Sequence, residues 1–335
     1  MKKILSQAGK YLFAILIFSR NGIFPQEIRS ALHDEILYEE IIPDLEDEKK
    51  YSRAQNVRHI PPDLPGWERA EVERFRKSYL SPERSAELFV ILQNGEQYRH
   101  YVRRRLLEEN MPLALEYIPV IESSYKANAA PKDGRSVGLW QFLENSIAGY
   151  LRKTEWLDER LDPWKSTDAA LKKLKANYDT FGDWLLAIAA YNCGAGTVKR
   201  ALEKSSEKNF WALCEKKLIP DHAINYVPRL LAISDIAANE KFYGADLPEF
   251  SFERETYSPF EDFEYVEVSS QISLKRLAME MRMDEKILLY LNPALLHGIT
   301  PPNETYEIRL PAGMKEAARD ALFTLKSKRK NSDTE

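Results

Sequence analysis

Four short stretches concentrate the side chains able to do chemistry: Glu122-Ser123, Gly138-Leu139-Trp140-Gln141-Phe142, Ala190-Tyr191-Asn192-Cys193-Gly194 and Asn225-Tyr226-Val227-Pro228. Glu122 follows a strongly apolar run that includes Leu113, Leu115, Ile118, Val120 and Ile121. A carboxyl group set against such a low-dielectric wall resists ionisation, which suits a general acid working near neutral pH. Alone, Glu122 reads more readily as a solvated glutamate at a helix end, because perturbed acids are a minority. The other stretches shift that balance. Gly138 lets backbone approach a ligand closely, Gln141 offers a donor and an acceptor, and Trp140 offers a flat apolar face. Tyr191 and Asn192 leave an apolar helix just before Gly194, where polar groups can face a cleft. Each has a plainer alternative: Trp140 and Tyr226 as core aromatics, Asn192 and Gly194 as a helix C-cap. No second acid is evidently partnered to Glu122, and no His/Cys/Asp cluster has ligand spacing, so neither metal nor cofactor is assigned.

The elements that must position these groups read as helices. Trp67 to Asn110 carries two amphipathic segments. Ser81-Pro82-Glu83 starts the first, and Tyr98, Tyr101, Val102 and Leu106 mark the second. Met111-Pro112 opens the helix leading to Glu122, and Pro119 predicts a kink or break inside it. A loop over Pro131 to Gly138 leads to a short helix expected from Trp140. Asp162-Pro163 then precedes a long helix with Ala170, Leu171, Leu174 and Tyr178 on its apolar side. Trp184 to Tyr191 is continuously apolar, as in a helix buried all round. The last helix of this region contains Pro228 and runs to about Asn239, and no strand is expected between 111 and 240. Beyond a linker at 241–261, strand, helix, helix and strand signals follow at Tyr265–Val268, Leu274–Met281, Asp284–Leu291 and Tyr306–Leu310. A module of about fifty residues is marginal for independent stability. The residues from 314 read as a C-terminal tail, charged and frayed from Lys326.

With 335 residues, 44% hydrophobic and 30% charged, the chain suits a globular protein of about two domains. Residues 1–26 read as an export signal, with Lys2 and Lys3 ahead of a short apolar core from Tyr11 to Phe18. That core is too short to span a bilayer as a mature helix, so membrane attachment would require the segment to stay uncleaved. Residues 27–66 form an acidic, then proline-punctuated lead-in. The net charge is −4, and the signal contains four basic residues and no acid, so the body stands at −8. A mildly acidic body gives no sign of nucleic-acid binding, which usually needs a basic face, so no nucleic acid is expected as a partner. Cys193 and Cys214 could pair in an oxidising compartment but are too few to define a disulfide framework or a metal site, and read more readily as small buried thiols.

In this order, the four stretches resemble the lytic transglycosylases with a lysozyme-like domain, glycoside hydrolase family 23. The resemblance spans about residues 67–240. It also takes in Met111-Pro112-Leu113, Ile118-Pro119, Asp158-Glu159-Arg160 and Asp162-Pro163. Residues 262–313 resemble, less closely, the LysM-like module that follows in that group, through Leu291-Asn292-Pro293 and Pro301-Pro302. The implied fold is a mainly α, lysozyme-like (SLT-type) catalytic domain with a small α+β C-terminal module. The implied substrate is the peptidoglycan glycan strand, and the implied location is the periplasm or cell envelope.

The resemblance also implies a mechanism. Glu122 would protonate the oxygen linking N-acetylmuramic acid to N-acetylglucosamine. It would then take the proton from the muramic C6 hydroxyl as that oxygen closes a 1,6-anhydro ring. One carboxyl suffices for this, whereas most glycosidases use two. Gln141, Tyr191, Asn192 and Tyr226 would line the groove, Tyr226 or Tyr191 would orient the glutamate, and Ser123 would support the helix end. Departures from the family pattern are Pro131 where a sugar-contacting serine is usual, with Ser136 as a substitute. Leu143-Glu144 replaces Met-Pro, and Cys193 replaces a small residue. The competing readings are a hydrolase of the same fold and a non-catalytic glycan-binding scaffold built on the LysM-like module.

Overall fold

The computed structural model describes residues 58–130, 134–248 and 263–332, all within one compact unit, Arg58–Glu335. The signal segment, most of the lead-in, Pro131 and the second half of the linker lie outside the described residues.

Helix α1 (Ala70–Tyr79) leads into α2 (Pro82–Glu108), a single continuous helix where the sequence suggests two. Gly95 does not break it. The ring of Tyr125 fills the place of a side chain there, 2.5 Å from where a Cβ would stand. That packing offsets the cost of about 1 kcal/mol that glycine brings to a helix. A 3-10 helix (Leu113–Tyr117) then gives way to the short α3 (Ile118–Ser123), which ends one residue after Glu122. Pro119 sits in the first turn of α3 and its missing N–H costs nothing there, so the break falls just before Ile118 rather than at the proline.

No helix starts at Trp140. Residues 136–143 instead form a small hairpin, β1 (Ser136–Val137) against β2 (Phe142–Leu143), with Ser136 opposite Leu143. The expected absence of strands is corrected at this point. Two buried features impose the hairpin. Gly138 takes φ +84° and lies so close to Arg160 that a Cβ would stand 1.9 Å from its carbonyl oxygen. Arg160, clamped by Asp158 at 2.6 Å, donates to the Phe142 carbonyl at 3.2 Å.

Helix α4 (Pro163–Phe181) is capped by Asp162, whose carboxylate accepts from the N–H groups of Trp164 and Lys165, both at 3.0 Å. It packs along α5 (Trp184–Cys193), capped in the same way by Asp183. Leu185 to Ala190 of α5 are all buried, as the continuous apolar run requires. The helices α6 (Ala195–Lys204) and α7 (Phe210–Glu215) follow. Then α8 (Asp221–Ala238) crosses the domain to pack on α1 and α5, before a short α9 (Glu240–Tyr243).

The C-terminal module pairs β3 (Phe263–Val268) antiparallel with β4 (Tyr306–Pro311), with Val266 opposite Ile308. Helices α10 (Leu274–Glu280) and α11 (Glu285–Leu291) lie between the strands in sequence. The residues from 314 on, read as a C-terminal tail, form α12 (Lys315–Ser332), which buries Ala318, Ala321 and Leu322 in the module core. Leu157 of the helical domain belongs to that same core. Asp158 N–H donates to the Ala294 carbonyl at 2.8 Å, and Leu296 N–H to the Trp156 carbonyl at 3.0 Å. The Arg309 guanidinium, 4.5 Å above the Trp164 ring, reaches the second oxygen of the capping Asp162 at 2.8 Å. The module is therefore seated on the helical domain by shared core, backbone hydrogen bonds and a buried ion pair.

Candidate active site

Glu122 is carried on a helix end held in an uncommon conformation. Ser124 and Tyr125 follow it at φ 52° and 56°, consecutive left-handed residues without glycine. Such backbone costs about 1–3 kcal/mol per residue and persists only where its surroundings enforce it. Here the Tyr125 ring lies against Gly95 and its hydroxyl donates to the Glu116 carbonyl at 2.6 Å. Ser123 ties this helix end to the neighbouring loop, its hydroxyl donating to the Leu139 carbonyl at 2.7 Å.

The Tyr226 hydroxyl, from α8, donates to Oε1 of Glu122 at 2.6 Å. Burial pushes the Glu122 carboxyl up to about 7 from its ordinary 4.5. The Tyr226 hydrogen bond and the positive charges of Arg229 and Lys173 act in the opposite direction, because each favours the ionised form. Among the described residues, no acid figures with the groups acting on it. Glu116, close in sequence, is buried between Arg99 and Arg103 at 2.7 and 2.8 Å and is committed to them. Glu122 is thus a lone carboxyl that can hold a proton near neutral pH and release it.

The other expected contact residues divide in two. Tyr226 is only 4% exposed and Trp140 is fully buried at 0%, its indole N–H 2.8 Å from the Thr167 hydroxyl. Trp140 therefore offers no face to a ligand, and its assignment to substrate binding is corrected to a core role. Tyr191, Asn192 and Gln141 retain partial exposure. Tyr191 donates to the Trp140 carbonyl at 2.8 Å, so hydroxyls from α3 and α5 hold successive carbonyls of the loop. The Asn192 side-chain oxygen is buried and accepts no hydrogen bond from the described residues. Gln141, at φ 49°, turns its amide N–H onto the Gly138 carbonyl at 2.8 Å. Its carbonyl oxygen accepts from Ser136 at 2.6 Å. Cys193 and Cys214 are free thiols, half-buried rather than buried as expected.

Two basic residues escaped the sequence reading. Arg229 lies one residue beyond the Tyr226-Val227-Pro228 stretch and hydrogen-bonds the Tyr79 hydroxyl at 3.2 Å. Lys173 lies on α4, with Nζ 5.2 Å from the centre of the Tyr191 ring and 5.4 Å from that of Phe142. Arg229 could have been flagged by its proximity to Tyr226. Nothing local in sequence marks Lys173.

Residues 103–214 match the family model of the Transglycosylase SLT domain. The chain carries a lytic-transglycosylase SLT domain. Glu122, the hairpin and α5 with Tyr191 and Asn192 all fall inside it, while Tyr226 comes from the helix beyond it. Residues 262–327 match the LysM-like domain of lytic transglycosylase MltD, a span that includes most of α12. The membrane-bound lytic murein transglycosylase D of Escherichia coli K12 is 35% identical over 160 residues, covering 46% of this chain and 34% of the relative. The protein of the same name from E. coli O6:H1 matches to the same extent. The matched stretch thus spans about a third of the length of these curated relatives. Among solved structures, an inactive mutant of lytic transglycosylase Slt from Pseudomonas aeruginosa aligns at 20% identity with a TM-score of 0.37. That alignment covers 44% of this chain and 25% of the other. The SLT domain here is mainly helical and lysozyme-like, followed by a small module of two strands and packed helices.

Proposed function

We propose that this chain cleaves peptidoglycan glycan strands without water, as a lytic transglycosylase in which Glu122 is the acid and then the base. The observation that carries the reading is the lone Glu122 carboxyl, partly buried, bonded by Tyr226 and raised to about 7. The proton of Glu122 passes to the glycosidic oxygen as the bond from the muramic C1 to that oxygen breaks. The resulting carboxylate stabilises positive charge at C1, then removes the C6 hydroxyl proton while O6 bonds to C1. Glu122 ends protonated, ready for another cycle, and no second carboxylate is needed. Tyr226 orients the carboxyl, and Tyr191, Asn192 and Gln141 border the groove. The LysM-like module adds contact with the strand, and the proposed site of action is the cell envelope.

Digestion of purified peptidoglycan followed by mass spectrometry tests the reading. The expected products are lighter by one water than those of hydrolysis, and Glu122→Gln abolishes them while the fold and strand binding survive. Reducing ends from the wild type would assign a hydrolase instead. Full activity of Glu122→Gln would overturn the assignment of the residue.

A further inference from the structure

Lys173 is a cation at this site that the proposed reaction does not use. It is partly buried, and its ammonium lies over two aromatic rings, Tyr191 and Phe142, contributed by different elements. Among the described residues it forms neither an ion pair nor a hydrogen bond. Arg229 differs in that its guanidinium is engaged by Tyr79. Aromatic faces attract an ammonium but take none of its three donors. Partly buried charges are ordinarily paired, since removing a cation from water costs more than ring faces return. Glu122 does not serve as that partner. Its Oε1 is bonded by Tyr226, and the proposed chemistry needs the carboxyl protonated at the outset. The site therefore presents an ammonium with open donors beside the residue that acts on the sugar.

We propose that Lys173 is a specificity residue that binds a carboxylate of the glycan substrate close to the bond being cut. The glycan identity rests on the function proposed above, whereas the carboxylate preference does not. Two carboxylates of peptidoglycan have this chemistry: the lactyl group of a muramic acid without peptide, and the acidic groups of a peptide stem.

The test separates these sources and is independent of cleavage. In a Glu122→Gln background, the full chain is titrated with peptide-free strands and with the same strands converted to lactyl carboxamides. A second pair uses peptide-bearing strands with stem carboxylates free or amidated. The carboxylate form of one pair is expected to bind about tenfold tighter, the scale of one charge-assisted hydrogen bond. The pair that shows the preference names the source. Lys173→Met, which keeps the aliphatic stem over the rings, removes the preference, and Lys173→Arg retains most of it. With Glu122 intact, kcat/KM for anhydro-product formation follows the same ratios. Equal affinities within both pairs, or a preference unchanged in Lys173→Met at unaltered thermal stability, overturns the proposal. Absence of anhydro products with the binding ratios intact would instead overturn the transglycosylase reading and leave the carboxylate site standing.

Discussion

The hydroxyl of Tyr226 donates a 2.6 Å hydrogen bond to Oε1 of Glu122 across 104 positions of sequence. Tyr226→Phe keeps the buried ring and removes that donor. The ionised carboxylate loses support, so the Glu122 pKa rises above its present value of about 7. In the proposed reaction cleavage begins from protonated Glu122, so the alkaline fall in kcat moves to higher pH in the variant. The maximal rate drops by about 10- to 100-fold as orientation is lost. An alkaline limb at unchanged pH would contradict this coupling.

The same carboxyl makes stability depend on pH. Its folded-state pKa, about 7, lies above the ordinary 4.5, so between those values the folded chain keeps a proton that the unfolded chain has released. Stability is therefore lost as pH rises from 4.5 to 7, and the full penalty applies above 7. At 1.36 kcal/mol per pH unit, the penalty is about 3 kcal/mol. Glu122→Gln removes it. Urea denaturation should find the variant more stable than wild type by up to that amount at pH 8 and nearly equal at pH 4.

Gly138→Ala places a methyl group 1.9 Å from the Arg160 carbonyl at a backbone φ of +84°. The obstruction is backbone, so the hairpin must shift as a whole. A loss of about 2–4 kcal/mol in stability is expected, together with most activity, because Leu139 and Trp140 lose their hydroxyl partners Ser123 and Tyr191. Retained activity with normal stability would show that the loop does not position the site.

Arg309→Met leaves Asp162 buried without its cation. Removing one partner of such a pair costs about 3–5 kcal/mol. Since Asp162 also caps α4, the loss should spread from the C-terminal module into the helical domain. Calorimetry of the variant should show one transition, lowered as a whole. A separate early transition for the module, with the remainder unchanged, would refute the mechanical link.

Much of the fold was readable from the chain. Asp162-Pro163 marked the start of α4, the run from Trp184 to Tyr191 marked an internal helix, and alternation marked β3 and β4. These signals are local. The hairpin at 136–143 was missed because its cause, the Arg160 carbonyl against Gly138, lies more than twenty positions away. Helix α12 was hidden by its charge, although Ala318, Ala321 and Leu322 already carry a helical spacing that only the module core makes meaningful. At the site, Glu122, Tyr226 and Ser123 were legible from their stretches. Trp140 misled because a flat aromatic face suits a sugar as well as a core. Lys173 was invisible because one helix position says nothing about rings brought from two other elements.

The pairing of Arg309 with Asp162 bears on heredity as well as on stability. A module joined only by a tether can be duplicated, exchanged or lost between genes with little harm to its neighbour. Here either half, moved without the other, would carry an orphaned charge into its interior. The two halves should therefore travel through evolution as one inheritable piece, with position 309 changing only in step with position 162.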